Sequence, residues 1–266
     1  MSILSKLIEH VSNFVDSNST GREIYFRGQR SNHTLLPALL RNRAKYSNTI
    51  SIIESHYYCD AWVMAGNDLK DTKNTWEILA QFQHYQIPTR LLDWSSSLIS
   101  AIYFSIEKCL SCKYQNSDCK IKSDYCKGNP TIWLLDPQGM HKHLHKKDCF
   151  RDNCAVTIGV DNIIDYKDAF ITLSKKWPYS DGPLFMEIPW RNDRIKSQKG
   201  YFTFHTNEKP LDEIAKKAKW LSKVEIQQDD KIDLISEFKL LGIREHDIYP
   251  DLLSLGQYVN RLFQDF

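Results

Sequence analysis

The most informative stretch of the chain is FQHYQIPTRLLDWSSSLISAIYFS, residues 82–105. Apolar residues at helical spacing lead into it and predict a helix over Trp76–Tyr85, which Pro88 ends because proline cannot donate the next helical hydrogen bond. Thr89–Trp94 then forms a connector. The serines that follow cap a second helix, since a serine hydroxyl accepts hydrogen bonds from first-turn amides, and this helix reaches Lys108.

Outside this stretch the sequence mixes helical and strand patterns. Apolar spacing predicts an amphipathic helix within residues 1–20. Short apolar runs predict strands at Glu23–Arg27, which Gly28 ends, and at Thr131–Leu135, Leu184–Ile188 and Gly200–His205. Helical spacing predicts further helices over 49–67, Pro210–Trp220, Lys231–Leu241 and the last 20 residues. Because helices and strands do not alternate regularly, we expect one mixed α+β domain with small twisted sheets flanked by helices.

The bulk composition is that of a folded domain. The chain has 266 residues, of which 42% are hydrophobic and 26% charged. Its 35 basic and 33 acidic residues leave a net charge of +2, which argues against broad electrostatic binding of nucleic acid but leaves a local basic groove open. The sequence has no apolar run of about 18 residues and no signal-peptide pattern, so we expect no membrane contact and a cytoplasmic location.

Four of the seven cysteines lie in a polar insertion predicted at residues 109–129. They are Cys109, Cys112, Cys119 and Cys126. Four thiolates suit a tetrahedral structural zinc ion, and a segment with so few apolar side chains would gain stability from one. The alternative is a set of free thiols on a surface loop.

A histidine-rich segment, HKHLHKKDC, follows at residues 141–149. The alternation of His141, His143 and His145 would place three imidazoles on one face of a strand. The interleaved lysines instead favour a solvated basic loop. No acidic cluster of the kind that holds the metals of nucleases stands out.

Four blocks of the sequence carry a family resemblance. They are IYFRGQRSNHTLLPALLR (24–41), the stretch 82–105, RIKSQKGYFTF (194–204) and GIREHDIYPDLLSLG (242–256). Together they resemble the FRG-domain family, which is named for its aromatic-Arg-Gly strand. The resemblance covers roughly residues 20–260 and implies an FRG-like domain over 21–266 behind the N-terminal helix.

The order of these motifs carries a second, weaker resemblance. An aromatic-Arg-Gly strand, a serine-rich turn before a helix and a later strand are similar to the arrangement in ADP-ribosyltransferases. This similarity implies an NAD-using enzyme, a transferase or NAD glycohydrolase, such as a bacterial toxin or defence effector. It implies that Arg27 holds the phosphates or ribose, that Ser95 and Ser96 shape the nicotinamide pocket, and that Gln198 or Glu187 lies at the ribose. The acceptor would be a protein, a nucleic acid or water.

The chemistry of NAD explains why other residues of these blocks are candidates for binding it. An arginine fork binds phosphate oxygens in a bidentate manner, a glycine permits close backbone approach, and an aromatic ring stacks on a base. The candidate ligand-binding residues are Tyr25, Arg27, Gly28, Gln29, Arg90, Asp93, Trp94, Ser95, Ser96 and Tyr103. A carboxylate near the ribose would stabilise the oxocarbenium character that develops as the glycosidic bond breaks.

Each motif also has a structural interpretation. Arg27 could pair with Asp93 and tie the first two blocks together, because buried arginines are usually paired. Arg90 could instead pair with Asp93 and position the loop that contains both. The serine run could be only a helix cap. The alternative function is a non-catalytic module that binds a nucleotide or nucleic acid with the same arginine-lined cleft. The alternatives differ in whether the motifs line one open cleft or are sealed in the core.

Overall fold

One seven-stranded sheet organises the chain. The computed structural model describes residues 2–18, 23–41, 49–69, 72, 74–110, 128–145, 155–179, 182–190 and 193–262. The strands are β1 (Tyr25–Gln29), β2 (Leu91–Ser95), β3 (Thr131–Leu135), β4 (Val156–Thr157), β5 (Leu184–Glu187), β6 (Gly200–Phe204) and β7 (Leu221–Glu225). Their spatial order is β4-β5-β6-β2-β1-β3-β7. Neighbours are antiparallel except β4 and β5, which are parallel.

Helices flank this sheet. They are α1 (Ile3–Asn18), α2 (Ala38–Arg41), α3 (Ile50–Ala65), α4 (Thr75–His84), α5 (Leu98–Leu110), α6 (Pro137–His145), α7 (Asp193–Ser197), α8 (Leu211–Ile214), α9 (Lys231–Leu240), α10 (Glu245–Ile248) and α11 (Leu252–Leu262). A 3₁₀ turn covers Gly66–Leu69, and a π-helical turn covers Lys167–Ile171. The prediction of a mixed α and β domain is confirmed, but its strands join one large sheet instead of several small ones. In the part of the chain that the structure describes, no helix is both long and apolar enough to cross a bilayer.

Side chains alternate between the two faces of the sheet, and this sorts the core. Phe26 packs with α1, α5 and α9 on one face. Leu91 and Phe202 lie on the same face farther along the sheet and pack with α4. Tyr25 and Leu92 point to the opposite face and pack with α6 and α8. One face of the sheet therefore carries two separate helix groups, with β1 and β2 below the space between them.

Gly28 brings α5 into direct contact with β1. A Cβ at this position would lie 1.7 Å from the carbonyl oxygen of Ala101 and 2.9 Å from the amide nitrogen of Ser105. The prediction that Gly28 ends its strand is wrong, because β1 continues to Gln29. The glycine is required by close approach of a helix backbone, since any side chain would enter the hydrogen-bonded turn of α5.

The predicted connector Thr89–Trp94 is the largest error in the sequence-based fold. Its second half is strand β2, which pairs with β6 over all five of its residues and joins β1 at Ser95. Local patterns predict a loop here because the segment follows Pro88 and is too short to show a clear alternation. Its strand conformation depends on partners distant in sequence, which local patterns do not contain.

The predicted helix Pro210–Trp220 is also shorter than expected. Only Leu211–Ile214 is helical, and the chain then enters strand β7, which pairs with all of β3. Local patterns do not predict β7, because two of the five residues in LSKVE are charged. At an edge of the sheet, such a strand keeps its polar side chains in water.

The histidine-rich segment is helical where the structure describes it. His141 and His145 lie in α6, so both earlier interpretations, a strand face and a solvated loop, are wrong for these residues. His141 is buried, and its Nε2 accepts a hydrogen bond from the amide of Phe185. It therefore anchors α6 to β5.

The predicted zinc site falls mostly outside the described residues. Cys109 is buried in the core at the end of α5. Cys112, Cys119 and Cys126 lie in residues 111–127, which are not described. Within the described ranges, no group of three or more histidine, cysteine or acidic side chains is arranged to hold a metal ion. The zinc ion remains a prediction from the sequence.

Candidate functional site

A cleft of about 450 Å³ opens between α4 and α5 above the junction of β1 and β2. It is the space between the two helix groups on one face of the sheet. Gln83 of α4 and Glu107 of α5 line its walls, and Arg194 of α7 contributes from a third side. Its floor includes Arg27 of β1 and Asp93 of β2.

Arg27 occupies a gap in the sheet. Along the described strands β1 and β2, Phe26 lies opposite Ser95 and no further residues pair, so the strands diverge beyond this point. Arg27 Nη1 donates a 2.6 Å hydrogen bond to the backbone carbonyl of Asp93 and lies 3.6 Å from Asp93 Oδ2. The guanidinium thus takes the place of a missing backbone donor.

The Arg27 guanidinium is only partly satisfied. Its side chain is 16% exposed, and its buried Nε has no hydrogen-bond partner among the described residues. Burial lowers the pKa of Arg27, and the nearby Arg41 acts in the same direction while Asp93 opposes both. The exposed part of the guanidinium can donate hydrogen bonds to an anion in the cleft.

Asp93 is held in the cleft by its neighbours. Gln83 Nε2 donates to both carboxylate oxygens of Asp93, at 3.2 and 3.0 Å. The hydroxyl of Thr89 donates to Gln83 Oε1 at 2.6 Å. Asp93 remains 53% exposed despite these contacts. The predicted Arg27–Asp93 pair therefore exists, but it does not close the cleft.

The cleft is cationic. Five of the described residues that line it are arginines or lysines, against two carboxylates, Asp93 and Glu107. The cations are Arg27, Arg30, Arg41, Lys108 and Arg194. In a chain of nearly balanced overall charge, this local excess attracts anions.

Two histidines add hydrogen-bonding groups to the cleft without adding charge at neutral pH. Burial lowers the pKa of His33, and Arg30 and Arg41 lower it further. Burial also lowers the pKa of His84, with a further decrease from Arg194. Both imidazoles are therefore neutral at pH 7, and a bound anion would favour their protonation.

Ser95 and Gln198 line the cleft, but both have structural hydrogen bonds. Ser95 Oγ donates to the carbonyl of Gln198 at 2.6 Å and accepts from the amide of Ser97. The side chain of Gln198 donates to the carbonyl of Ile248. Helix α5 is capped by Ser97, whose Oγ accepts from Ser100, instead of by Ser95 or Ser96. The serine run thus fixes the turn from β2 into α5.

The other residue considered for the ribose, Glu187, does not line the cleft. Its Oε2 accepts a hydrogen bond from Thr157 at the β4–β5 edge. It also raises the pKa of Tyr201, after burial. Tyr201, unlike Glu187, lines the cleft.

The aromatic candidates belong to the core. Tyr25 and Tyr103 are buried in two different apolar clusters and do not line the cleft. Trp94 borders the cleft, but its side chain is buried and its Nε1 donates to Thr203. Gln29 also borders the cleft, and its Oε1 accepts from Trp133. In this conformation, none of the three aromatic side chains, Tyr25, Trp94 and Tyr103, exposes a ring face on which a ligand could stack.

Arg90 is sealed in the core by a different partner than predicted. Its Nε lies 2.7 Å from Glu54 Oε1, and both side chains are buried. Tyr166 donates a further hydrogen bond to Glu54. Arg90 Nη1 donates to the carbonyl of Thr206 at 3.2 Å. The predicted Arg90–Asp93 pair is wrong, and this arginine joins α3, β2 and the end of β6.

Several residues that line the cleft were not among the predicted site residues, although they lie in the blocks that carry the family resemblance. Arg30, His33 and Arg41 lie in block 24–41, Gln83 and His84 in block 82–105, and Arg194 opens block 194–204. The clustering of basic residues in these blocks was an available signal. Glu107 and Lys108 lie just past the second block, on the α5 face that turns toward the cleft.

Residues 22–113 match the family model of the FRG domain. The matched segment contains β1, β2, α4 and α5, which form the floor and two walls of the cleft, whereas the blocks at 194–204 and 242–256 lie outside it. No curated protein and no solved structure matches the chain. The resemblance to ADP-ribosyltransferases therefore stays a prediction. From the strand that carries Phe26-Arg27-Gly28 to the end of α5, the chain therefore matches the FRG domain.

Proposed function

We propose that the cleft binds a phosphate-bearing nucleotide through Arg27. The observation that carries this proposal is the guanidinium of Arg27, whose side chain is 16% exposed, in a cleft lined by four more cations. An arginine fork is the protein group best matched to phosphate oxygens. The cleft volume of about 450 Å³ lies within the range of small-molecule sites.

NAD is the leading candidate ligand, because the resemblance to ADP-ribosyltransferases singles it out. In the proposed reaction the bond between the ribose C1′ and nicotinamide breaks, and the bonding electrons leave with neutral nicotinamide. A nucleophile from the acceptor or from water then bonds to C1′ and loses a proton. A carboxylate must stabilise the cationic ribose. Glu187 lies outside the cleft and Gln198 is neutral, so Asp93 or Glu107 would take this role.

A non-catalytic nucleotide-binding module is the second candidate. The observation that favours it is the engagement of Ser95 and Gln198 in structural hydrogen bonds, which leaves neither side chain free in this conformation to act on NAD. Both candidates share the phosphate contact with Arg27. They differ in whether bound NAD loses nicotinamide.

Calorimetric titration with NAD, ADP-ribose and ADP tests the shared step. We expect Arg27→Met to weaken binding about tenfold to a hundredfold, the usual worth of hydrogen bonds to a charged group. Lys217→Met is the matched control, because it removes an exposed positive charge outside the cleft. Equal affinity of Arg27→Met and wild type for every ligand would overturn the proposal.

The reaction needs a separate assay. Nicotinamide release and transfer of label from NAD are measured for the wild type, Asp93→Asn and Glu107→Gln. Release that depends on one of these carboxylates supports the enzyme. NAD binding without any release supports the binding module.

A further inference from the structure

We infer that Asp93 recognises the vicinal hydroxyls of a ribose, so the cleft selects ribonucleotides over deoxyribonucleotides. This inference rests on the proposed nucleotide binding and names the class of ligand. It assigns the sugar contact to a strand β2 residue beside Arg27, in place of the residues first considered, Gln198 and Glu187.

The first argument is the orientation of the carboxylate. Thr89 donates to the carbonyl oxygen of the Gln83 side chain, which fixes the amide so that its nitrogen faces Asp93. Thr89 Oγ1 is itself fixed, because it accepts from the amide of Leu91. The Asp93 carboxylate is therefore preorganised by a chain of hydrogen bonds that begins in its own strand.

The second argument is unused accepting capacity. A carboxylate has about four lone-pair positions. Gln83 contacts both oxygens through a single nitrogen, and Arg27 lies 3.6 Å from Oδ2. With 53% of its side chain exposed, Asp93 can accept from both hydroxyls of a diol. Glu107, the other cleft carboxylate, already accepts from the hydroxyl of Tyr249.

The third argument is adjacency to the phosphate site. Arg27 and Asp93 lie side by side on the cleft floor. A ligand that contacts both must carry an anion and hydroxyl donors a few ångströms apart, as a ribonucleotide does. A bare phosphate or a deoxyribonucleotide would leave the carboxylate facing an anion without a donor between them, which is unfavourable. Carboxylates that bind ribose hydroxyls are a general solution in nucleotide sites.

The test compares ADP with 2′,3′-dideoxy-ADP by calorimetric titration. We expect the wild type to bind ADP about tenfold or more tightly than the dideoxy analogue, since hydrogen bonds to a charged acceptor are lost. In Asp93→Asn the preference should fall below about threefold. The same substitution should leave the affinity for dideoxy-ADP unchanged or raise it, because it removes a negative charge from a phosphate site. A merely structural Asp93 would instead lower the affinity for both ligands.

The positioning role of Gln83 and Thr89 has its own readout. Thr89→Val removes the hydroxyl that orients the amide and should reduce the preference for ADP. Thr89→Ser restores the hydroxyl and should restore the preference. Thermal unfolding of each variant confirms that the compared proteins are folded.

Besides a loss of affinity for both ligands in Asp93→Asn, three outcomes overturn the inference. In the first, wild type binds ADP and dideoxy-ADP equally, which leaves the proposed nucleotide binding intact. In the second, Asp93→Asn keeps the full preference for ADP, which also leaves nucleotide binding intact. In the third, neither ligand binds the wild type, which overturns the proposed function as well.

Discussion

Replacing Gly28 by alanine should destabilise the protein by about 3 kcal/mol or more, which is the upper range for overpacking a core. The added Cβ would lie 1.7 Å from the carbonyl oxygen of Ala101, whereas real Cβ contacts stay beyond 3.0 Å. Helix α5 or strand β1 must therefore move by more than about 1 Å. The obstacle is backbone on both sides, so no side-chain rotation relieves it.

Urea unfolding followed by far-UV circular dichroism measures this loss of unfolding free energy. Thermal unfolding is a second measurement. A change of 1 kcal/mol shifts the melting temperature of a domain of this size by about 2–4 °C, so we expect the melting temperature to decrease by roughly 6–12 °C. Gly256→Ala is the control, because Gly256 lies within α11 and a Cβ there meets nothing within 4 Å. The control should stabilise the helix by up to about 1 kcal/mol. A Gly28→Ala protein within about 1 kcal/mol of wild type would refute the close-packing argument.

Two further perturbations test the buried polar groups. Glu54→Gln should lower the free energy of unfolding by about 3–5 kcal/mol, because it leaves the charge of Arg90 buried without its partner. A urea midpoint close to that of wild type would contradict this expectation. Burial lowers the pKa of His141 to about 3 and that of His205 to about 3, so the unfolded chain binds protons first as the pH falls. Stability should therefore decrease below about pH 6.5, by about 1.4 kcal/mol per pH unit for each histidine until the pH approaches 3. His205→Gln should reduce this slope in denaturation series from pH 7 to about pH 4, and an unchanged slope would contradict the burial argument.

Local patterns predicted the elements whose conformation local contacts determine. Strand β3 has the predicted limits, Thr131–Leu135, because its five residues are all buried and apolar or β-branched. Helix α4 begins at Thr75, one residue before its predicted start, because Asn74 caps it by accepting a hydrogen bond from the amide of Glu77. The conformation of β2 and β7 depends on long-range pairing, which a five-residue window does not contain.

The site was partly visible in the sequence for a similar reason. The residue types and the order of the blocks predicted Arg27, Asp93 and Gln198 as site residues. All three line one cleft in the structure. Which of them remain available for a ligand depends on tertiary partners. Arg90 looked equivalent to Arg27 in the sequence, but only the fold shows that Glu54 neutralises Arg90 in the core.

The structure of a complex with ADP tests the central claim most directly. We expect the phosphates to lie in the cleft between α4 and α5, with an oxygen accepting a hydrogen bond from the exposed part of the Arg27 guanidinium. The ribose hydroxyls should face Asp93. A nucleotide bound elsewhere on the protein, or one whose phosphates do not contact Arg27, would contradict the account.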